Sequence, residues 1–170
     1  CYRYLPADYI HAFAGGSLID VDGDSVQELF VGGGYNQSDG LFAYRNGAFV
    51  DIISHYNLNI HEFSSNPART TYGSMSLDID GDSDTDLLVA QTFGIFLYKN
   101  NGGYFSEERI HPLLGLETYG VPVAMTAGDI NKDGLADLYV STFINHRDFR
   151  SATFNDPKHT TLNILLQNKG

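Results

Sequence analysis

The chain has 170 residues, 21 of them Asp or Glu and 10 Lys or Arg, which gives a formal net charge of −11. A hydrophobic fraction of 42% can fill a core at this length, so the composition excludes intrinsic disorder and a small disulfide-stapled scaffold. No apolar run approaches the roughly 20 residues of a membrane-spanning helix, and the negative charge, without a Lys/Arg cluster, argues against nucleic acid as a partner.

The first residue, Cys1, is the only cysteine. A bacterial lipoprotein begins this way after its signal peptide is removed, so Cys1 is a candidate site of lipid attachment, and that lipid is the one membrane contact we expect. A trimmed chain or a structural cysteine would look the same. The sequence leaves these alternatives open.

Further along the chain, three acidic segments align without gaps: DVDGDSVQELFVG from Asp20, DIDGDSDTDLLVA from Asp78 and DINKDGLADLYVS from Asp129. They hold 12 of the 21 acidic residues, so the remaining surface is close to neutral. The segments start 58 and 51 residues apart, which is near the period of propeller blades and above that of most helical repeats. The sequence therefore contains an internal repeat.

The pattern within each segment predicts a calcium loop. Crowded carboxylates repel one another unless a cation compensates them, and oxygen ligands at alternating positions suit Ca²⁺, which accepts roughly six to eight oxygens. Side chains at positions 1, 3, 5 and 9 and the backbone carbonyl at position 7 would bind about three ions in all. The predicted ligands are Asp20, Asp22, Asp24, Val26 and Glu28; Asp78, Asp80, Asp82, Asp84 and Asp86; and Asp129, Asn131, Asp133, Leu135 and Asp137.

An EF-hand would need a Glu at position 12, a Gly at position 6 and flanking helices. Position 12 is Val31, Val89 or Val140, and only the third copy has Gly at position 6. The segments ELFVGGG, DLLVAQT and DLYVSTF, which follow position 8, are short and rich in β-branched and aromatic residues, as strands are. The sequence therefore excludes an EF-hand.

Each acidic loop lies between two predicted strands, and a third strand ends in an Asn turn: LFAYRNG, GIFLYKNNGG and LNILLQNKG. Asn-Gly pairs at Asn46 and Asn101 are hairpin signals. A fourth strand, AFVDII or YFSEERI, follows in the first two copies. Four antiparallel strands per unit describe a β-propeller blade. We therefore predict an all-β chain with blade units at residues 13–53, 72–110 and 122–170.

The inner strands of these units carry a small residue five positions before the first Asp: Gly15, Gly73 and Ala124. This regularity predicts tight inner positions. The third unit stops where its fourth strand should begin, and roughly four to eight blades are needed to close a ring. We expect an incomplete propeller or part of a larger one, whose open edges need further blades or a protein partner. The N-terminal segment YRYLP is a candidate for the missing outer strand.

The acidic block followed by an aliphatic-aromatic strand and an Asn-Gly turn resembles the FG-GAP/VCBS repeat of integrin α-subunit propellers and of many secreted bacterial proteins. The resemblance covers the chain from about Phe13 to its end, and the lack of FG-GAP tripeptides in their usual places favours the VCBS branch. Glu28 departs from the family pattern. The resemblance implies a calcium-stabilised module for adhesion or complex assembly.

Three longer loops, at residues 54–72, 111–122 and 143–160, are predicted on the face opposite the metal loops. The third is an insertion, and it combines aromatic, basic and His residues that suit a protein or glycan contact. A recognition loop and a plain insertion both fit. The candidate recognition residues are His146, Arg147, Phe149, Arg150 and Phe154.

No GxSxG, Walker or HExxH pattern supports catalysis, so we expect a binding module and no enzyme. Roughly millimolar calcium matches weak to moderate sites, which predicts a secreted, periplasmic or cell-surface location. The alternative is the non-catalytic propeller part of a secreted enzyme, or a carbohydrate-binding lectin.

Overall fold

The structure is a computed structural model that describes residues 15–34, 37–58, 70–91, 94–112, 120–143 and 161–170. Strands dominate these residues, with one 3₁₀ turn at Ile53–Tyr56. The strands are β1 Gly16–Ile19, β2 Glu28–Val31, β3 Gly40–Arg45, β4 Ala48–Asp51, β5 Thr71–Leu77, β6 Asp86–Gln91, β7 Gly94–Asn100, β8 Phe105–Pro112, β9 Val121–Gly128, β10 Asp137–Phe143 and β11 Ile164–Leu166. The described part of the chain contains no helix long and apolar enough to cross a membrane.

The strands form three antiparallel sheets, one for each predicted unit. The first sheet has the order β1-β2-β3-β4, the second β5-β6-β7-β8 and the third β9-β10-β11. Each strand pairs with the next along the chain, as in a propeller blade. Asn46 and Gly47 both have positive φ, 52° and 83°, which is the geometry that a two-residue hairpin requires. The predicted all-β fold with four-stranded units is confirmed, with three described strands in the third unit.

The innermost strands lie side by side, with β1 against β5 and β5 against β9. The predicted small residues lie where these strands meet. A Cβ built on Gly15 would be 2.5 Å from the Cα of Gly73, and one built on Gly73 would be 3.5 Å from the carbonyl oxygen of Val123. Ser76 at this junction donates its hydroxyl to the carbonyl oxygen of Leu18, 2.5 Å away. The first two inner strands are therefore in backbone contact.

The middle sheet packs on both sides, so all six residues of its strand β6 are buried. Alternate side chains of a strand point to opposite faces. Leu87 and Val89 join a core shared with the first sheet, while Leu88 joins a core shared with the third. Two hydrophobic cores therefore hold the three sheets in a row.

The two outer sheets expose positions that the middle sheet buries or half-buries. On the first sheet the exposed fractions are 53% for Leu18, 38% for Val31, 65% for Tyr44 and 62% for Phe49. We call this surface the first end face. At the third sheet they are 38% for Tyr139, 60% for Leu165 and 61% for Ile130, which lies in the acidic segment between β9 and β10, and we call that surface the last end face.

The internal repeat shows what these end faces lack. Val89 and Val140, the counterparts of Val31 at position 12 of their loops, are fully buried against the preceding sheet. Phe30 and Leu88, the counterparts of Tyr139 at position 11, are fully buried against the following sheet. The end faces are therefore packing surfaces without a neighbouring sheet among the described residues.

The described third sheet stops at β11, which leaves a groove of about 700 Å³ between it and the outer strands of the second sheet. Apolar side chains line this groove, among them Leu97 and Ile110 on one side and Leu138 and Leu166 on the other. In the first two sheets, the outer position next to the third strand is held by β4 and β8. The groove is thus the place of a fourth strand.

A buried carboxylate joins the first two sheets at the end away from the acidic loops. Asp39 is 6% exposed and accepts hydrogen bonds from the backbone N of Gly33 at 2.5 Å and the hydroxyl of Thr71 at 3.0 Å. Gln91 donates to the same hydroxyl at 3.2 Å. Burial raises the pKa of Asp39 to about 6, although both hydrogen bonds favour the charged form.

We expect the Asp39→Asn variant to gain stability relative to wild type as the pH rises from 4 to 7. The folded chain binds the Asp39 proton more tightly than an unfolded chain, whose carboxyl has its ordinary pKa of 3.8, so charging Asp39 destabilises the fold. A pKa that is 3.8 in the unfolded chain and about 6 in the folded chain corresponds to about 3 kcal/mol in the free energy of unfolding. Urea unfolding of both proteins at pH 4, 5, 6 and 7 measures this difference.

Glu108→Gln, which removes one exposed negative charge from β8, is the matched control. A difference between Asp39→Asn and wild type that does not change over this pH range would show that Asp39 is not the buried titrating group.

Candidate metal centres

The three acidic loops, residues 20–28, 78–86 and 129–137, have the same backbone conformation. We call them loops 1, 2 and 3. Positions 4 and 6 have positive φ in every copy, although three of the six residues are not glycine. These residues are Gly23 (73°) and Ser25 (68°), Gly81 (80°) and Ser83 (77°), and Lys132 (64°) and Gly134 (90°). The repeat seen in the sequence is therefore also a repeat of loop geometry.

The position-1 carboxylate holds each loop closed from inside. Asp20 accepts hydrogen bonds from the backbone N of Gly23 at 2.8 Å and Ser25 at 2.9 Å. Asp78 does the same in loop 2, with distances of 2.7 Å to position 4 and 3.0 Å to position 6. Asp129 accepts from positions 5 and 6, both at 3.0 Å. These bonds fold the chain around the position-1 carboxylate in each loop.

The position-5 carboxylate makes one hydrogen bond that recurs in all loops. Its Oδ1 accepts from the backbone N of position 7, at 2.7 Å from Val26 to Asp24 and 2.9 Å from Asp84 to Asp82. In loop 3 the distance from Leu135 to its partner is also 2.9 Å. Positions 5 and 7 are thus held together, while the predicted role of the position-7 carbonyls remains a prediction.

The position-9 carboxylate is the buried member of each loop: Glu28 is 6%, Asp86 0% and Asp137 4% exposed. One of its oxygens accepts the backbone N–H of position 2, at 3.3 Å in loop 1, 2.9 Å in loop 2 and 3.2 Å in loop 3. Burial raises the pKa of Glu28 and of Asp86, and the backbone hydrogen bonds oppose that shift. This residue therefore ties the start of its loop to the strand that follows it.

Carboxylate oxygens converge in loops 1 and 2. Asp20, Asp22 and Asp24 each place an oxygen within 4.8 Å of the others. In loop 2 the converging group is Asp78, Asp80 and the buried Asp86, so its third member is position 9 where loop 1 has position 5. In loop 3 the amide of Asn131 stands at position 3 and donates to the Oδ2 of Asp133 at 2.6 Å.

Among the described residues, the side chains of Lys99 and Tyr56 contact carboxylates of the loops from outside. The ammonium group of Lys99, in β7, forms an ion pair with Asp80, and this hydrogen bond lowers the pKa of the Asp80 carboxyl. The hydroxyl of Tyr56 donates to the Oδ2 of Asp22 at 3.2 Å. Burial raises the pKa of the Tyr56 hydroxyl, and the hydrogen bond to Asp22 raises it further.

The side-chain donors of the loops fit a hard divalent cation. The side chains at positions 1, 3, 5 and 9 offer carboxylate oxygens, with one amide oxygen from Asn131. Such ligands suit Ca²⁺, Mg²⁺ or Mn²⁺, and the flexible geometry of Ca²⁺ best tolerates loops with different third and ninth positions. No imidazole or thiolate, the ligands of a zinc site, occurs in these loops.

One placement made from the sequence is wrong for the residues of the loop that the structure describes next to β4. The loop starting at residue 54 was predicted on the face opposite the metal loops, but its first residues lie beside loop 1, where Tyr56 bonds Asp22. The chain turns back immediately after β4, because Ile52 and Leu58 are buried in the core shared with the second sheet. Cys1 and the predicted recognition residues His146, Arg147, Phe149, Arg150 and Phe154 lie outside the described residues.

Sequence reasoning missed two asparagines that structure the loops, Asn100 and Asn168. Both were assigned only to turns after the third strand. Asn100 is 2% exposed, and its backbone N donates to the Oδ1 of Asp86 at 2.8 Å. Asn168 makes the same bond to Asp137 at 3.0 Å. The signal in the sequence was the recurrence of Asn at the end of the third strand of each unit.

The sheets and loops together define an array of propeller-type repeats, each with one acidic loop between its first two strands. Residues 78–140, from the start of loop 2 to strand β10, match the family model of the FG-GAP-like repeat. The resemblance found in the sequence is therefore confirmed, and the chain carries an FG-GAP-like repeat. A comparison with curated proteins found no match.

Proposed function

We propose that the chain is a calcium-stabilised propeller module that binds or assembles with other protein elements outside the cytoplasm. The observation that carries the proposal is the geometry shared by the three loops, which have positive φ at positions 4 and 6, together with the convergence of three carboxylates in each of loops 1 and 2. A solvated acidic turn has no need of strained φ values at Ser25, Ser83 and Lys132.

The residues that would hold the ions follow from the loop contacts. In loop 1 these are Asp20, Asp22 and Asp24, and in loop 2 Asp78, Asp80 and Asp86. Loop 3 would use Asp129, Asn131 and Asp133. When bound, calcium would neutralise the clustered carboxylates and join the two ends of each loop. The chain itself orients these oxygens through the position-1 and position-5 hydrogen bonds.

The end faces support a role in assembly. Tyr44 and Phe49, whose rings stack edge to face with centroids 5.2 Å apart, lie on the first end face, and Tyr139 lies on the last. Exposed apolar patches of this kind mark interaction surfaces. We propose that further propeller blades or a protein partner cover them, and that the module has no catalytic role of its own.

Native mass spectrometry followed by a denaturing run on the same sample tests this function. We expect a native mass above that of the polypeptide by about three calcium ions, one for each loop, with the excess lost on denaturation. A native spectrum in millimolar calcium that shows no bound metal would contradict the proposal.

A further inference from the structure

Asn100 and Asn168 each connect one unit to the acidic loop of the unit before it. The side-chain amide of Asn100 donates to the carbonyl oxygen of Val21 at 3.2 Å, and that of Asn168 donates to the carbonyl oxygen of Ile79 at 2.9 Å. Val21 and Ile79 both hold position 2, of loops 1 and 2 respectively. The two contacts are therefore the same contact at successive junctions.

The same asparagines are fixed to the loop of their own unit. Their backbone N–H groups donate to Asp86 and Asp137, the position-9 carboxylates, at 2.8 and 3.0 Å. The second oxygen of each carboxylate accepts the N–H of position 2 in its own loop, Ile79 at 2.9 Å and Ile130 at 3.2 Å. Each asparagine thus lies between two successive loops.

These bonds form one continuous chain through the three units. It runs from Val21 through Asn100 and Asp86 to Ile79, and from there through Asn168 and Asp137 to Ile130. The first three residues of this chain of bonds are almost fully buried: Val21 and Asp86 are 0% and Asn100 is 2% exposed. Hydrogen bonds in such surroundings are stronger than in water and hold the groups they join in fixed relative positions.

We propose that Asn100 and Asn168 are positioning residues that couple neighbouring metal loops, so that a cation in one loop strengthens binding in the next. The inference rests on the proposed calcium function. A loop ordered by its cation holds position 2 still, and position 2 anchors the asparagine that orients the next position-9 carboxylate. The second cation then binds at a smaller cost in conformational entropy. This is positive coupling, and it acts equally in both directions.

The first unit shows where the coupling begins. Leu29 pairs with Phe42, whereas the corresponding Leu87 and Leu138 pair with Tyr98 and Leu166. Two residues beyond these partners stand Tyr44, Asn100 and Asn168. Because Tyr44 has no side-chain amide, the chain of bonds extends from loop 1 toward loop 3 and not toward a unit that would precede the first.

Calcium titration of ¹⁵N-labelled, metal-free full chain tests the coupling. The amide signals of Gly23 and Gly81 report on loops 1 and 2 separately. Asp80→Asn weakens calcium binding at loop 2, while the Oδ1 of the new side chain can still accept the N–H of Asp82. In the wild-type background, Asp80→Asn should weaken calcium binding at loop 1 about fivefold. In the Asn100→Ala background it should leave binding at loop 1 unchanged, which a merely structural role of Asn100 would not produce.

Asn101→Ala is the matched control, since the amide of Asn101 bonds only within its own hairpin, to Lys99, Tyr104 and Ser106. In that background the fivefold effect should persist. If Asn100→Ala does not fold, Asn168→Ala with the Gly134 signal of loop 3 gives the same comparison at the next junction. The inference is overturned if Asp80→Asn leaves calcium binding at loop 1 unchanged in the wild-type background. It is also overturned if Asp80→Asn weakens that binding equally with and without the asparagine. If no loop signal responds to calcium, the proposed function fails, and the inference falls with it.

Discussion

Chelation of calcium should lower the melting temperature of the wild-type chain by roughly 5–10 °C for each occupied loop. A site filled at about 100 times its dissociation constant adds about 2.7 kcal/mol to the free energy of unfolding, and about 1 kcal/mol moves the melting temperature of a chain this long by roughly 2–4 °C. The double variant Asp78→Ala, Asp129→Ala should lose most of this difference. Thermal melts in calcium and in EGTA measure it.

The comparison between calcium and EGTA matters because Asp78 and Asp129 also accept backbone hydrogen bonds within their loops. Their removal destabilises the chain with or without metal, and only the calcium-dependent part reports on binding. Asp51→Asn, an exposed acid outside the loops whose bond to the N–H of Ile53 an amide can keep, is the control. If the double variant melts with an EGTA sensitivity equal to that of wild type, loops 2 and 3 are not structural metal sites.

Gly15→Ala should destabilise the fold by about 3 kcal/mol, the upper range for overfilling a packed site. The new Cβ would lie 2.5 Å from the Cα, 2.8 Å from the carbonyl carbon and 2.9 Å from the N of Gly73. These are backbone atoms of β5, so no side chain can rotate away. The inner strands of the first two sheets would have to separate, which would open the core that they share. Urea unfolding measures the loss.

Gly128→Ala is the matched control at the end of β9. No atom lies within 4 Å of its Cβ position, so its effect should stay within about 0.5 kcal/mol. Neither glycine has positive φ, so backbone strain does not distinguish the two variants, whereas the contact that the new methyl group makes does. Equal stabilities for the two variants would show that β1 and β5 are farther apart than the structure places them.

The sequence was informative where a single unit determines the structure. Short segments rich in β-branched and aromatic residues, Asn-Gly turns and ungapped acidic segments are local signals, and they predicted the sheets, the loops and the small inner residues. The common register of loops 1 to 3 followed from the alignment, and even Ser25 adopts the conformation that Gly134 takes in the third copy.

What the sequence did not predict depends on contacts between units. Asn100 bonds to Val21 across 79 residues and Asn168 to Ile79 across 89, and no local pattern encodes such partners. The pairing of β3 in the first unit is shifted by two residues, which preserves the face of every side chain, so its hydrophobic pattern is unchanged. The burial of Asp39 likewise arises only when the first two sheets meet.

The two end faces have a consequence for symmetry, because they are not copies of each other. A two-fold axis pairs a surface with itself, whereas each end face corresponds to one side of a sheet and its complement lies at the opposite end of the row. Contacts between unlike faces are heterologous, and they repeat until they close into a ring or continue as a filament. Ring closure is thus the arrangement that leaves neither end face open to solvent.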